Sequence, residues 1–148
     1  MTDHLVRIAH HATAKGTGRI ITIGLGSCVA ITLYEPRTKI GGMAHVLLPD
    51  PSIARESSNQ AKFATTAVPL LLTEMRALGM RGTPYARLAG GASLFGNLLG
   101  SAQGQMGTRN VAAARLALQE AGIEIRAEET GGEGGRSVVL ELETGRFI

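Results

Sequence analysis

The stretch that decides the fold reads Arg19-Ile20-Ile21-Thr22-Ile23-Gly24-Leu25-Gly26-Ser27-Cys28-Val29-Ala30-Ile31-Thr32-Leu33-Tyr34. Two runs of β-branched and apolar residues flank a glycine turn, which predicts two strands with a tight connection between them. Glu35-Pro36-Arg37-Thr38-Lys39 follows as a second turn, with proline at a favoured turn position. Ile40 to Leu48 returns as a third strand. Pro49-Asp50-Pro51 ends it, because proline donates no ladder hydrogen bond.

Towards the N-terminus, residues 1–17 are polar and carry His4, His10 and His11. They predict either an edge strand near Val6 to Ala9 or a loosely held tail. Towards the C-terminus, residues 58–78 predict an amphipathic helix, since Phe63, Ala67, Leu71, Met75 and Leu78 recur at helical spacing. Ser57 or Ser58 is its expected N-cap and Gly79 its C′ residue. Pro69 lies inside the pattern and predicts a kink. Tyr85 to Ala89 is a short strand running into Gly90-Gly91, and residues 90–107 form a loop rich in Gly, Ser, Asn and Gln. Thr108 is the expected cap of a second helix carried by Val111, Ala114, Leu118 and Ala121 and ended by Gly122. Ile123 to Ala127 alternates like a half-buried strand, Gly131 to Gly135 make a turn, and Ser137 to Leu142 form the last strand. The order βββ–α–β–α–ββ predicts an α+β fold, largely antiparallel sheets covered by two main helices. The 148 residues suit a single domain, 1–148.

Composition narrows the function classes. Aromatics make up only 3% and there is no Trp, so Leu, Val, Ile, Ala and Met must build the core. The 20 glycines exceed an average share of about 7% and imply tight turns and close backbone approaches. The net charge of +3 comes from scattered basic residues with no Lys/Arg run, which argues against nucleic-acid binding. Asp3 and Asp50 are the only aspartates and form no carboxylate pair, which argues against glycosidase chemistry. The histidines and the single cysteine show no metal-ligand spacing, so no metal is expected. Gly90-Gly91 and Gly131-Gly132 lack the Gly-Lys-Ser/Thr ending of a phosphate loop, and no organic cofactor is expected. No apolar run approaches signal-peptide or membrane-span length, so the expectation is a soluble cytoplasmic protein without membrane insertion.

The lone Cys28 has two readings. A free cysteine is often a small buried hydrophobe. Here it stands between a glycine turn and a strand, where Gly24 and Gly26 give room around the thiol. Backbone N–H groups near Gly26 and Ser27 are candidates for an oxyanion hole. His45 is the only histidine inside a core element, one hairpin after Cys28. Pairing of 28–34 with 40–48 would let it act as a base that lowers the thiol pKa. The alternative is a satisfied core histidine. Gly41-Gly42 suggest thin packing near a cleft. Thr22 closes the preceding strand, where its hydroxyl could accept from the second ring nitrogen and hold the tautomer; threonine is also simply a good strand residue.

The residues then carry a resemblance. Thr22-Ile23-Gly24-Leu25-Gly26-Ser27-Cys28-Val29-Ala30, followed by Ile40-Gly41-Gly42-Met43-Ala44-His45-Val46-Leu47-Leu48-Pro49, resembles the signature of the CheD family of chemoreceptor glutamine deamidases. Phe63-Ala64 with Pro69-Leu70-Leu71-Leu72, Gly90-Gly91-Ala92, Gly107-Thr108-Arg109-Asn110 and Gly131-Gly132 through Arg136 continue it over about residues 5–147. Glu129 departs from the aspartate usual two residues before the Gly-Gly turn, and the 92–106 loop is hard to match.

The resemblance implies Cys28 as nucleophile, His45 as base and Thr22 as orienting residue. It also implies conversion of glutamine side chains on cytoplasmic chemoreceptor helices to glutamate, with methylesterase activity on the same carbonyl chemistry. The family is similar in fold and Cys–His chemistry to deamidating bacterial toxins, which implies a layered α/β/β sandwich. It further implies the CheC phosphatase as a binding partner, so a regulatory docking module is the alternative to an enzyme. A cysteine peptidase or other acyl-transfer enzyme is a third. Ser52 to Asn59 and the 92–106 loop are the expected substrate contacts.

Overall fold

The computed structural model describes residues 2–54, 58–92, 105–132 and 136–148. Its strands are β1 (Asp3–Val6), β2 (His11–Lys15), β3 (Arg19–Leu25), β4 (Val29–Glu35), β5 (Ile40–Val46), β6 (Tyr85–Gly90), β7 (Ile125–Thr130) and β8 (Arg136–Glu141). Two helices, α1 (Ala64–Ala77) and α2 (Met106–Glu120), flank β6.

The strands divide between two sheets, β1-β3-β8 and β2-β5-β4-β6-β7. The pairings β2·β5, β3·β8, β4·β5 and β4·β6 are antiparallel, while β1·β3 and β6·β7 are parallel. One core lies between the helices and the larger sheet. It joins Val29, Ile31 and Leu33 of β4 and Ala44 and Val46 of β5 to Val68, Leu71 and Met75 of α1 and Val111, Ala114 and Leu118 of α2. The second core lies between the sheets and holds Val6, Ile20, Leu25, Cys28, Ala30, Met43, Ala89, Val138 and Leu140. β4 and β5 are buried along their whole length because both faces are covered. The result is the expected α+β arrangement, one helical layer and two sheets.

The sequence expectation differs from the structure mainly at the edges. Residues 1–17 are neither one edge strand nor a tail: β1 joins the small sheet and β2 the large one. Pairing partners far along the chain, Arg19 to Thr22 for β1 and Ile40 to Ala44 for β2, supply what local pattern lacks. The first helix begins at Ala64 rather than near residue 58, because a short 3-10 turn at Gln60–Lys62 precedes it. Phe63 stands at the N-cap without a side-chain cap bond, so Ser58 does not cap it, and Ser57 lies outside the described residues. The second helix begins at Met106, which places Thr108 inside it. Gly79 and Gly122 do follow the helix ends, at φ +104° and +73°. Ile123 follows the Ala121-Gly122 turn and packs on the helical core, and β7 starts at Ile125.

Candidate active site

β3 and β4 lie in different sheets, so the chain between them crosses the sandwich. Gly24 turns with φ +72°, and Leu25 is fully buried between the sheets. Cys28 follows immediately before β4 and is only 7% exposed. Three consecutive carbonyls of this loop are held by the segment after β6 and by α2. Gly26 O accepts from Ala92 N at 2.8 Å, Cys28 O from Gly91 N at 2.8 Å, and Ser27 O from Asn110 Nδ2 at 2.9 Å. Gly90 is required for this approach, since a Cβ there would sit 2.2 Å from Cys28 O at a φ of +104°.

His45 is opposite Ala30 in the β4·β5 register. Directly opposed residues share a face, and Cys28 shares that face with Ala30 two residues on. Cys28 is therefore a diagonal neighbour of His45, with both side chains turned towards the space between the sheets. The backbone of His45 is fixed on its other edge, where its N–H donates to His10 O at 3.1 Å and its carbonyl accepts from Ala9 N at 2.8 Å.

Thr22 reaches His45 from the opposite sheet. Thr22 Oγ1 lies 2.7 Å from His45 Nδ1 and 2.7 Å from Val6 O. A threonine hydroxyl has one proton, and a carbonyl can only accept. The hydroxyl therefore donates to Val6 O and accepts from Nδ1–H. This leaves the lone pair on Nε2, which is buried and without a hydrogen-bond partner among the described residues. Burial also holds the His45 pKa below its ordinary 6.5, so the ring is neutral at pH 7.

Burial pushes the Cys28 thiol up from its ordinary 9.0, while its own backbone N–H pulls the other way. The thiol is thus protonated at neutral pH in this state, where the sequence reading expects a lowered pKa. The desolvation of a thiol 7% exposed outweighs that backbone hydrogen bond.

The structure joins Thr22 to His45 by a hydrogen bond and sets Cys28, directly after Gly26 and Ser27, in the buried cluster between the sheets. Of the other histidines, His4 pairs with Ile20 in the small sheet, His10 meets His45 through its backbone carbonyl, and His11 Nε2 lies 2.7 Å from Glu74 Oε2. Among the described residues no group of three or more His, Cys, Asp or Glu side chains is placed to hold a metal ion. Gly41 and Gly42 do not mark a cleft. A Cβ on Gly41 would lie 2.7 Å from Leu142 Cδ2, and one on Gly42 would lie 3.2 Å from Leu71 Cδ2. They let both neighbouring layers pack closely on β5. A cleft of about 680 Å³ does open between the sheets, with Arg87, Ala89, Glu129, Arg136, Val138 and Phe147 among its walls. Ala89 and Val138 belong to the same buried cluster as Cys28. Of the expected substrate contacts, residues 55–57 and 93–104 lie outside the described residues.

Two contributors escape sequence reasoning. Val6 lies in a segment read as edge or tail, yet its carbonyl fixes the Thr22 hydroxyl. Asn110 enters the sequence reading only as part of Gly107-Thr108-Arg109-Asn110 in the family resemblance, with no role assigned to it. It is fully buried and touches both the Cys28 loop and the end of β5.

Comparison with known proteins identifies the family. A family model described as CheD chemotactic sensory transduction matches residues 47–148. A Pyrococcus horikoshii protein named "Probable chemoreceptor glutamine deamidase CheD" is 44% identical over 147 residues, covering 99% of this chain and 90% of its own length. A Geobacter metallireducens protein named "Probable chemoreceptor glutamine deamidase CheD 2" is 45% identical, covering 95% of this chain and 88% of its own length. A Clostridium botulinum protein named "Probable chemoreceptor glutamine deamidase CheD" is 40% identical over 98% of this chain and 90% of its own length. By both the family match and these relatives, the chain belongs to the CheD family.

Proposed function

We propose that this chain is a glutamine deamidase acting on chemoreceptors, with Cys28 as nucleophile, His45 as general base and acid, and Thr22 as the residue that orients His45. The names of its relatives support the amidohydrolase activity and the substrate class. The observation that carries the assignment of residues is the unpartnered Nε2 of His45, its tautomer held by Thr22, on the same sheet face as the only cysteine.

In this mechanism Nε2 accepts the thiol proton as Sγ bonds to the side-chain carbonyl carbon of glutamine. Because both groups rest neutral, proton transfer accompanies attack rather than preceding it. The backbone N–H groups of Gly26 and Ser27 stabilise the oxyanion. The proton on Nε2 passes to the amide nitrogen as the C–N bond breaks and ammonia leaves. Nε2 then takes a proton from water, whose oxygen attacks the thioester. Collapse of that intermediate returns the proton to sulfur and leaves glutamate. A glutamate methyl ester presents the same carbonyl with methanol as leaving group, so the same groups give methylesterase activity.

Incubation with receptor cytoplasmic fragments tests this. Wild type should release ammonia and convert specific glutamines with a mass gain of about 1 Da, the change from amide to acid. Cys28→Ala should do neither while keeping the fold. Ammonia release by a folded Cys28→Ala protein would remove Cys28 from the mechanism, and cleavage of the fragment chain would point to a peptidase instead.

A further inference from the structure

We infer that Asn110 is a positioning residue, a two-pronged amide that sets the spacing between the cysteine loop and the histidine strand. Its Nδ2 donates to Ser27 O at 2.9 Å and to Leu47 O at 3.0 Å. Ser27 immediately precedes Cys28, and Leu47 lies two residues beyond His45. One nitrogen atom therefore ties together the backbones that carry the two reacting side chains.

The chemistry of the three groups explains why an amide stands here. Ser27 O and Leu47 O are both acceptors, and two carbonyls cannot hydrogen-bond each other. An uncharged group that joins them must carry two protons on one atom, which among side chains means the NH2 of Asn or Gln. The side chain is fully buried, so water does not readily replace it. The arrangement also leaves Asn110 Oδ1 buried without a partner among the described residues. Buried polar atoms are rarely left so. A leucine would fill a similar volume with no orphan oxygen, but it would leave both carbonyls unpaired.

The surrounding backbone holds Asn110 at this point. The first turn of α2 lies directly on Gly91-Ala92, because a Cβ on Gly107 would fall 2.4 Å from Gly91 O and 2.7 Å from Ala92 O. The same segment donates Gly91 N and Ala92 N to Cys28 O and Gly26 O. The helix and the cysteine loop are therefore fixed to one piece of backbone. Asn110 links that assembly to Leu47, the residue directly after β5.

This inference rests on the proposed Cys28–His45 chemistry, and its test is chosen to separate the two. Cys28 is the only cysteine, so alkylation by iodoacetamide reports that thiol alone. The pH profile of its rate would be measured for wild type, Asn110→Leu, Asn110→Ser and Leu118→Ala. Leu118 is a buried residue of the same helix facing the helical core, so its variant controls for lost stability. Asn110→Leu should displace the alkylation profile and lower kcat for ammonia release by on the order of tenfold to a hundredfold, with KM within about twofold, as expected for misplaced reacting groups. Asn110→Ser, able to hold one carbonyl, should lie between it and wild type, and Leu118→Ala should keep the wild-type profile. Folded Asn110 variants with wild-type profile and kcat would overturn the inference. So would a Leu118→Ala protein showing the same changes, or failure of both Asn110 variants to fold. If wild type releases no ammonia, the deamidase reading fails, while the alkylation profiles still decide the role of Asn110.

Discussion

Thr22 Oγ1 and His45 Nδ1 stand 2.7 Å apart across the interior between the two sheets. The Thr22 proton is committed to Val6 O, so the hydroxyl can serve His45 only as an acceptor. A hydroxyl is enough to choose the tautomer of a neutral ring, and no carboxylate is needed for that.

Replacing Thr22 should therefore affect turnover more than folding. Thr22→Val removes both the acceptor for His45 and the donor to Val6 O, at a cost of about 1–3 kcal/mol in stability. We expect kcat for ammonia release to fall roughly tenfold to a hundredfold, the low end of what general acid–base groups supply. Thr22→Ser should stay near wild type. Equal kcat for Thr22→Val and wild type would exclude the orienting role.

The pH behaviour follows from burial. His45 titrates below 6.5 in the folded chain, so the unfolded chain binds more protons between the two values. The stability associated with neutral His45 is present above pH 6.5 and is lost as pH falls through the lower folded value. Urea denaturation at a series of pH values should show this loss in wild type and not in His45→Gln. The acid limb of activity should likewise lie below 6.5. The alkylation rate of Cys28 should keep rising beyond pH 9.0, because burial holds the thiol above that value.

Two glycines near the thiol should respond differently to alanine. At Gly90 the added Cβ would meet Cys28 O at 2.2 Å, at a φ of +104°. Gly90→Ala should cost about 2–4 kcal/mol and displace Cys28, a clash being added to backbone strain. At Gly24 the φ is +72° but nothing lies within 4 Å of the added atom. Gly24→Ala should cost only about 1–2 kcal/mol, the left-handed penalty alone. Chemical denaturation of both variants gives the comparison; similar losses would contradict the geometry.

Glu35 is a buried carboxylate, 1% exposed, remote from the site and serving the fold. It accepts from the N–H groups of Arg37, Thr38, Arg81 and Gly82 and from the Thr38 hydroxyl, joining the β4–β5 turn to the segment before β6. Burial by itself would raise its pKa, but these donors bring it below the ordinary 4.5. Its contribution is thus present above pH 4.5 and is lost as pH falls through the depressed value. Glu35→Gln should destabilise by about 2–4 kcal/mol, since the amide NH2 turns a donor towards donors. It should leave the kcat of the folded protein unchanged.

Much of the central sheet was legible in local pattern. Arg19 to Leu48 reads as three strands, and the runs over β4 and β5 are nearly continuous in apolar residues because both their faces are covered. Gly79 and Gly122 could be placed after the helix ends because positive φ strongly favours glycine. Residues 3–15 could not be read correctly, because β1 and β2 exist through partners in two different sheets. Gly41 and Gly42 suggested open space for the same reason: a missing side chain does not say whether a neighbour fills its place.

The sequence by itself determined that Cys28 follows a glycine turn and that His45 comes one hairpin later on the returning strand. Those are consequences of strand patterning and turn chemistry, which act over a few residues. Only the tertiary structure decided which ring nitrogen of His45 is free, that burial raises rather than lowers the thiol pKa, and that Val6 and Asn110 hold the parts in place. Each of these depends on groups brought together from distant points of the chain. A hydrogen bond or a desolvation cost is set by what lies within a few ångströms in space, whatever the separation in sequence.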